Sequence, residues 1–460
     1  MQEVDILIDK GTIVTIDPER RVITDGSIAI LGDRILDIGK SAELSTKYQP
    51  KKLIEAENHV VLPGFINSDV HITGLLYRCF VPDDVNSYTM IYEWVFPMYE
   101  NFTPEDEYYA TLLGSIEMVR TGTTTFVEGG SADDVRSVAR AAEEVGIRAV
   151  LGRWSWDLVQ ESKKFRMTTE EALQDCESLL REFSARSHPR IYFHPMLLGI
   201  GTASDELIKG TKALADEYGV TLSMHRNEDA PEVEQSIKAY GKTPIEHLEE
   251  IGVLDENFRL RHMAYTSDKE VDILARNQTK VVADLTSYLR LAYGITKHGK
   301  FPEMLAKGVC VSIGIDGATS SDFLDMGRAI YLAASLFKDC RMDGRMIPAE
   351  QALEMATING AKSLLMEDRI GSLEMGKKAD IVLFDRRRPE WVPMWDPVAC
   401  LVWSADGKSV DTVIIDGQII LEKGKFTTID ESAVLERVQV QARRCNDRIG
   451  LPLKTRWPVV

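Results

Sequence analysis

Between residues 59 and 371 short apolar segments alternate with helical stretches, and the pattern repeats eight times. Strands are expected at roughly 61–69, 123–129, 147–153, 190–197, 221–225, 258–263, 279–285 and 309–316, each with a helix after it, such as SDELIKGTKALADEYG or SDKEVDILARNQ. Parallel neighbours need a long crossover, usually a helix. Eight such units in succession therefore predict an α/β fold, a (β/α)8 TIM-type barrel. At 460 residues the chain exceeds one ordinary domain, and the surplus lies at its two ends. Both ends carry short alternating strands with hairpin signals: TDGS and LGDR early, KKADIVLFD and DTVIIDGQIILEKGKF late. Residues 1–58 and 372–430 are expected to meet as a composite β-sandwich, with the barrel over 59–371 and a C-terminal helix and tail over 431–460.

The charge of −18 is spread along the chain, which argues against nucleic acid or an anionic membrane as a partner. Nothing is apolar over 18 residues or more, so no membrane span is expected. The N-terminal MQEVDILIDKGTIVTID has no basic segment followed by an apolar run, and the six cysteines form no close pair. A cytoplasmic address with reduced thiols is the expectation. The partner expected is a small-molecule substrate, and a homo-oligomer is expected from the apolar content and the aromatic loops.

In a barrel of this kind functional groups gather at the C-terminal ends of the strands. The first strand finishes in PGFINSDVH, with Asp69 and His71; the fifth reaches His225, the sixth His262 and the eighth Asp316. Residues at i and i+2 share a face, so Asp69 and His71 can both turn inward. Two imidazoles and two carboxylates converging from separate strands suit one divalent ion such as zinc, cobalt, manganese or iron. Singly, each has an ordinary explanation as a hydrogen-bonded core histidine or a helix cap. Together they carry more, because three of only eight histidines fall at these ends. Of the others, His247 belongs on a helix, His59, His188 and His298 at the surface or in loops, and His194 is a weaker candidate inside the fourth strand.

PGFINSDVH, HRNED, SIGIDGATSS and ATINGAKSLLMEDRIGSLEMGKKADIVLFD resemble the metal-dependent amidohydrolase superfamily, in the branch of triazine hydrolases and cyclic deaminases. The resemblance runs through nearly the whole chain in order, and within the branch it is similar to phenylurea hydrolases and molinate hydrolase. It implies that His71, His225 and Asp316 bind one metal ion per subunit and that His262 polarises the attacking water or moves its proton. It also implies an acid–base role for Glu228, three residues beyond His225.

Two departures bear on function. Relatives usually have histidine where this chain has Asp69, and a second carboxylate should lower the Lewis acidity of a bound ion, relaxing the preference for zinc. On the seventh strand, ADLTSYLRL places Ala283 and Tyr288 where many deaminases have histidine and asparagine, which counts against nucleobase deamination. A second metal is not expected, because Trp154 and Trp156 stand where a bridging lysine carbamate would be sought. Aromatic residues in YTMIYEWVFPMYENF (Tyr88, Tyr92, Trp94, Phe96, Tyr99), with Trp154, Trp156, Tyr288 and Tyr293, are expected to wall an apolar pocket.

The function expected is hydrolysis of the carbonyl C–N or C–S bond of a small neutral amide, urea, carbamate or thiocarbamate, of phenylurea or thiocarbamate herbicide type. In that scheme His262, Asp316 and Glu228 manage the protons. An aminohydrolase acting on a heterocyclic amine is the alternative, and a non-catalytic interaction protein a third.

Overall fold

The computed structural model describes residues 1–85, 89–158, 162–184, 188–199, 201–455 and 457; Tyr88 lies outside them. The first strands are β1 (Gln2–Val14), β2 (Val22–Leu31), β3 (Arg34–Lys40), β4 (Tyr48–Glu55) and β5 (His59–Pro63). They join β16 (Ile381–Asp385), β17 (Val410–Ile415), β18 (Gln418–Glu422) and β19 (Lys425–Phe426) in one nine-stranded sheet. Both chain ends thus build the small domain, as one continuous hydrogen-bonded sheet rather than two separate ones. Its own apolar core includes Ile8, Ile13, Ile28, Val61, Ile381 and Ile414.

The sheet also claims His59–Pro63, which the sequence reading gave to the barrel. The run HVVLP is buried along its whole length and pairs antiparallel with β16, Val61 opposite Leu383. A continuously apolar central strand has no period to mark which sheet it belongs to. His59 is therefore buried, 3.6 Å from Asp411, and is not a surface residue.

The barrel begins after Gly64 with β6 (Phe65–His71), β7 (Thr123–Glu128) and β8 (Arg148–Leu151). It continues through β9 (Ile191–Phe193), β10 (Met196–Leu197), β11 (Leu222–Arg226), β12 (Phe258–His262) and β13 (Lys280–Ala283), and ends in β14 (Val311–Ile313) and β15 (Asp316–Gly317). All pairings are parallel. The short pieces β9 and β10 are one strand interrupted at His194-Pro195, and β14 and β15 another interrupted at Gly314-Ile315. Hydrogen bonds carry the ladder across both breaks: Ser223 N donates to Pro195 O at 3.0 Å and Ile315 N to Asp69 O at 2.9 Å. Eight strands therefore close on themselves, and the inter-strand edges are consumed.

The final helix, Glu431–Ile449, packs on the helix Pro104–Arg120. Asp106 joins them: it forms the capping box with Thr103, accepts from Gln441 Nε2 at 2.8 Å and pairs with Arg448. Among the described residues no helix is long and apolar enough to cross a membrane, and the six cysteines are unpaired.

Candidate metal centre and active site

β6 ends at the barrel mouth with Asp69 and His71, β11 with His225, β12 with His262 and β15 begins with Asp316. His262 and Asp316 have φ of 68° and 66°, and Asn227, just past β11, has 54°. Left-handed backbone costs a non-glycine residue on the order of 1 kcal/mol or more. Here it falls at or beside residues that line the cavity mouth.

His71 Nε2 and His225 Nε2 lie 3.3 Å apart, and Asp316 Oδ1 lies 3.5 Å from His71 Nε2. Two nitrogens bound tetrahedrally at about 2.0–2.1 Å to one zinc ion would be about 3.4 Å apart. Ligand atoms of Asp69, His71 and His225 fall within 4.8 Å of one another. Neither oxygen of Asp69 accepts a hydrogen bond among the described residues, although the residue is fully buried. Burial pushes both His71 and His225 below the usual imidazole range, His225 further, so both are neutral, the form that ligates. These donors fit a single divalent ion. Gly129 leaves the room: a Cβ there would stand 2.2 Å from His71 Nδ1.

His262 is held from behind. Its Nδ1 lies 3.2 Å from the Tyr288 hydroxyl, which accepts from Asp284 N at 3.1 Å and donates to Asp284 Oδ2 at 3.3 Å. With the hydroxyl proton donated to Asp284, the matching tautomer of His262 carries hydrogen on Nδ1 and leaves Nε2 to accept. That nitrogen faces Glu228 Oε2 at 4.0 Å. Burial raises the Glu228 carboxyl; His262 and a hydrogen bond from Tyr293 oppose the rise without cancelling it. Burial also acts to raise Asp316, but His262, His71 and local hydrogen bonds outweigh it and hold the carboxyl below its ordinary range.

Above these groups opens a cavity of about 830 Å³. Its floor is His71, His225, His262, Glu228 and Asp316; Phe96, Tyr99, Trp154 and Trp156 wall it. The Trp154 ring lies 5.2 Å from His71 and 6.1 Å from Trp156. Two expected wall residues are elsewhere. Tyr288 is fully buried behind His262, because the turn beginning at Asp284 tucks the ring four residues on beneath the strand end. Trp94 faces away from the cavity against Phe80, 5.8 Å between ring centres, with Lys454 over its face. His194 hydrogen-bonds Thr221 at 2.9 Å, is pushed down to about 3 by burial and does not line the cavity.

Three residues escaped the sequence reading. Asp284 closes the apolar run VVA, a position that could have drawn notice. Glu232 lines the cavity four residues after Glu228 and accepts its backbone N–H at 2.7 Å. Arg261 is fully buried with Nη1 2.5 Å from Asp69 Oδ1; its signal was a cation inside the strand FRLRH.

The model of the amidohydrolase family matches residues 60–420. The chain belongs to the amidohydrolase family. Proteins similar to it include a 5-methylthioadenosine/S-adenosylhomocysteine deaminase of Caldanaerobacter subterraneus subsp. tengcongensis, 33% identical over 95% of this chain and 98% of that protein. A 5'-deoxyadenosine deaminase of Methanobrevibacter smithii is 33% identical over 90% and 92%. Among solved structures, a zinc-bound adenosine deaminase from Xanthomonas campestris superposes with a TM-score of 0.90 at 27% identity, covering 98% of this chain and 99% of that one. An atrazine chlorohydrolase from Arthrobacter aurescens, complexed with zinc, reaches 0.87 at 22% identity over 95% and 100%, a likeness of fold alone. The likeness to triazine hydrolases therefore holds at the level of the fold. The narrower likeness to phenylurea and molinate hydrolases gives way to relatives named as deaminases.

Proposed function

We propose that this amidohydrolase is a mononuclear metal-dependent aminohydrolase, releasing ammonia from the amino-bearing carbon of an uncharged, nucleoside-sized N-heterocycle. The observation that carries the reading is Glu228 beside His262 on the cavity floor, in a chain aligned over nearly its full length with deaminases. His71, His225 and Asp316 would hold the ion, with Asp69 at its side. When bound, a divalent ion supplies Lewis acidity and a water nucleophile at neutral pH. His262 Nε2 accepts a proton from the attacking water, with Nδ1 hydrogen-bonded to Tyr288. Glu228, with its raised affinity for a proton, delivers one to the departing nitrogen. Trp154, Trp156 and Phe96 offer flat apolar faces for a ring.

Substrate charge follows from the lining. Glu100, Glu228, Glu232 and Asp316 border the cavity, and no lysine or arginine does among the described residues. An anionic tail would meet carboxylates with no counter-charge. A neutral 5'-thioether or deoxy nucleoside is therefore expected to exceed a carboxylate-bearing analogue in kcat/KM by about tenfold or more, equivalent to about 1.4 kcal/mol. Ammonia release from such a panel tests the reading, and Glu228→Gln should abolish turnover while the protein keeps its metal. Ammonia from none of the panel, by metal-replete protein, rejects it.

A second reading, cleavage of an aryl urea, carbamate or thiocarbamate, is favoured by one observation. β13 ends at Ala283, followed by Asp284, and presents no histidine to a ring nitrogen. Release of an alkyl or aryl amine or a thiol, without ammonia, would select it.

A further inference from the structure

Arg259 and Arg261 sit two apart on β12, both fully buried, and both reach across the barrel to β6. Arg259 Nη2 donates to Ser68 O at 2.8 Å, and Arg261 Nη1 stands 2.5 Å from Asp69 Oδ1. Isolated charges in a barrel interior are expensive, and one partner left alone costs more than the pair contributes. The hydrogen-bond contacts of Arg261 are neutral, Met196 Sδ at 2.9 Å and the backbone oxygen of Glu128 at 3.4 Å, while the buried carboxyls of Glu128 and Asp284 also feel its charge. Asp69 is the one carboxylate paired with it among the described residues. The contact is an ion pair outside hydrogen-bond geometry; it occupies Oδ1, while Oδ2 accepts no hydrogen bond among the described residues.

That balance matters for a cation at the mouth. Two neutral imidazoles with Asp69 and Asp316 would present a dication with two full negative charges and quench it. A guanidinium paired to one carboxylate leaves a single net negative charge, so a bound ion retains positive charge with which to polarise water and substrate. We infer that Arg261 is a positioning residue of the metal centre: it neutralises Asp69 and sets how strongly that carboxylate engages the ion. The inference rests on the one-metal reading above and extends it to a residue that touches neither ion nor substrate.

The test uses the full-length protein, wild type and the variants Arg261→Met, Arg261→Lys, Asp69→Asn and the Asp69→Asn/Arg261→Met pair. Each is stripped of metal and titrated with Co²⁺ against a chelator, with the visible cobalt spectrum recorded. Arg261→Met should release Asp69 toward the ion, tightening Co²⁺ binding by about tenfold or more and shifting the spectrum. Asp69→Asn should weaken binding by a similar factor, the double variant should return close to wild type, and Arg261→Lys should stay near it. If Arg261→Met fails to fold, Asp69→Asn against the double variant carries the same comparison. Unchanged affinity and spectrum in every variant, with only thermal stability lowered, would make the pair structural and overturn the inference alone. A wild-type protein that takes up no cation overturns the one-metal reading as well.

Discussion

Glu228 illustrates how one side chain's chemistry is set by its neighbours. Burial raises its proton affinity, while Tyr293, through a hydrogen bond to Oε1, holds it partly down. If Glu228 must carry a proton to the leaving nitrogen, activity falls at high pH as that proton is lost. Removing the hydroxyl removes a force that lowers the pKa. Tyr293→Phe should therefore move the alkaline limb of kcat/KM to higher pH, read from a pH–rate profile. A limb that does not move would place the titration elsewhere. Tyr288 acts on His262 in a different way, through a hydrogen bond to Nδ1 that leaves Nε2 toward the cavity. Neither role is visible in a string of letters, where both tyrosines read simply as aromatic residues after the seventh strand.

At the scale of elements, Glu107 ties the helix Pro104–Arg120 to the start of the helix Val135–Val145. Its two oxygens accept from Asp133 N at 3.0 Å and Asp134 N at 2.8 Å. Burial outweighs these bonds and raises the carboxyl to about 7 from 4.5. The folded state then binds the proton more tightly than the unfolded chain, so stability falls as pH rises from about 4.5 through about 7. The loss amounts to about 3 kcal/mol, at 1.36 kcal/mol per unit. Glu107→Gln should lack that slope: urea unfolding at pH 5 and pH 8 should show the wild type losing about 3 kcal/mol relative to the variant. Parallel behaviour would mean that Glu107 keeps an ordinary carboxylate pKa.

At the scale of the molecule, the barrel and the terminal sheet are joined by a buried ion pair. Arg148 opens β8 and grips Asp380 with two bonds of 2.9 Å, and Asp380 in turn accepts from Asp416 N at 2.8 Å. Both partners are almost wholly shielded from water. Arg148→Met would leave Asp380 charged and uncompensated, so a loss of about 3–5 kcal/mol is expected in chemical denaturation. An unchanged midpoint and slope would mean that the pair makes no net contribution to stability.

The eightfold strand–helix alternation, the β-rich ends and the polar residues closing particular strands were all legible in the sequence, because periodicity and position along a strand are local properties. So were His71, His225, His262 and Asp316, since residues that interrupt an apolar run at its end stand out on composition alone. Where His59–Pro63 belongs was not legible, because an apolar strand pairs equally well in either sheet until its partners are in place. The turning of Trp94 and Tyr288 away from the cavity and the pairing of Asp69 with Arg261 were also out of reach. These depend on which side chains from distant strands come within a few ångströms, and electrostatic and packing energies at that range are decided only when the barrel closes.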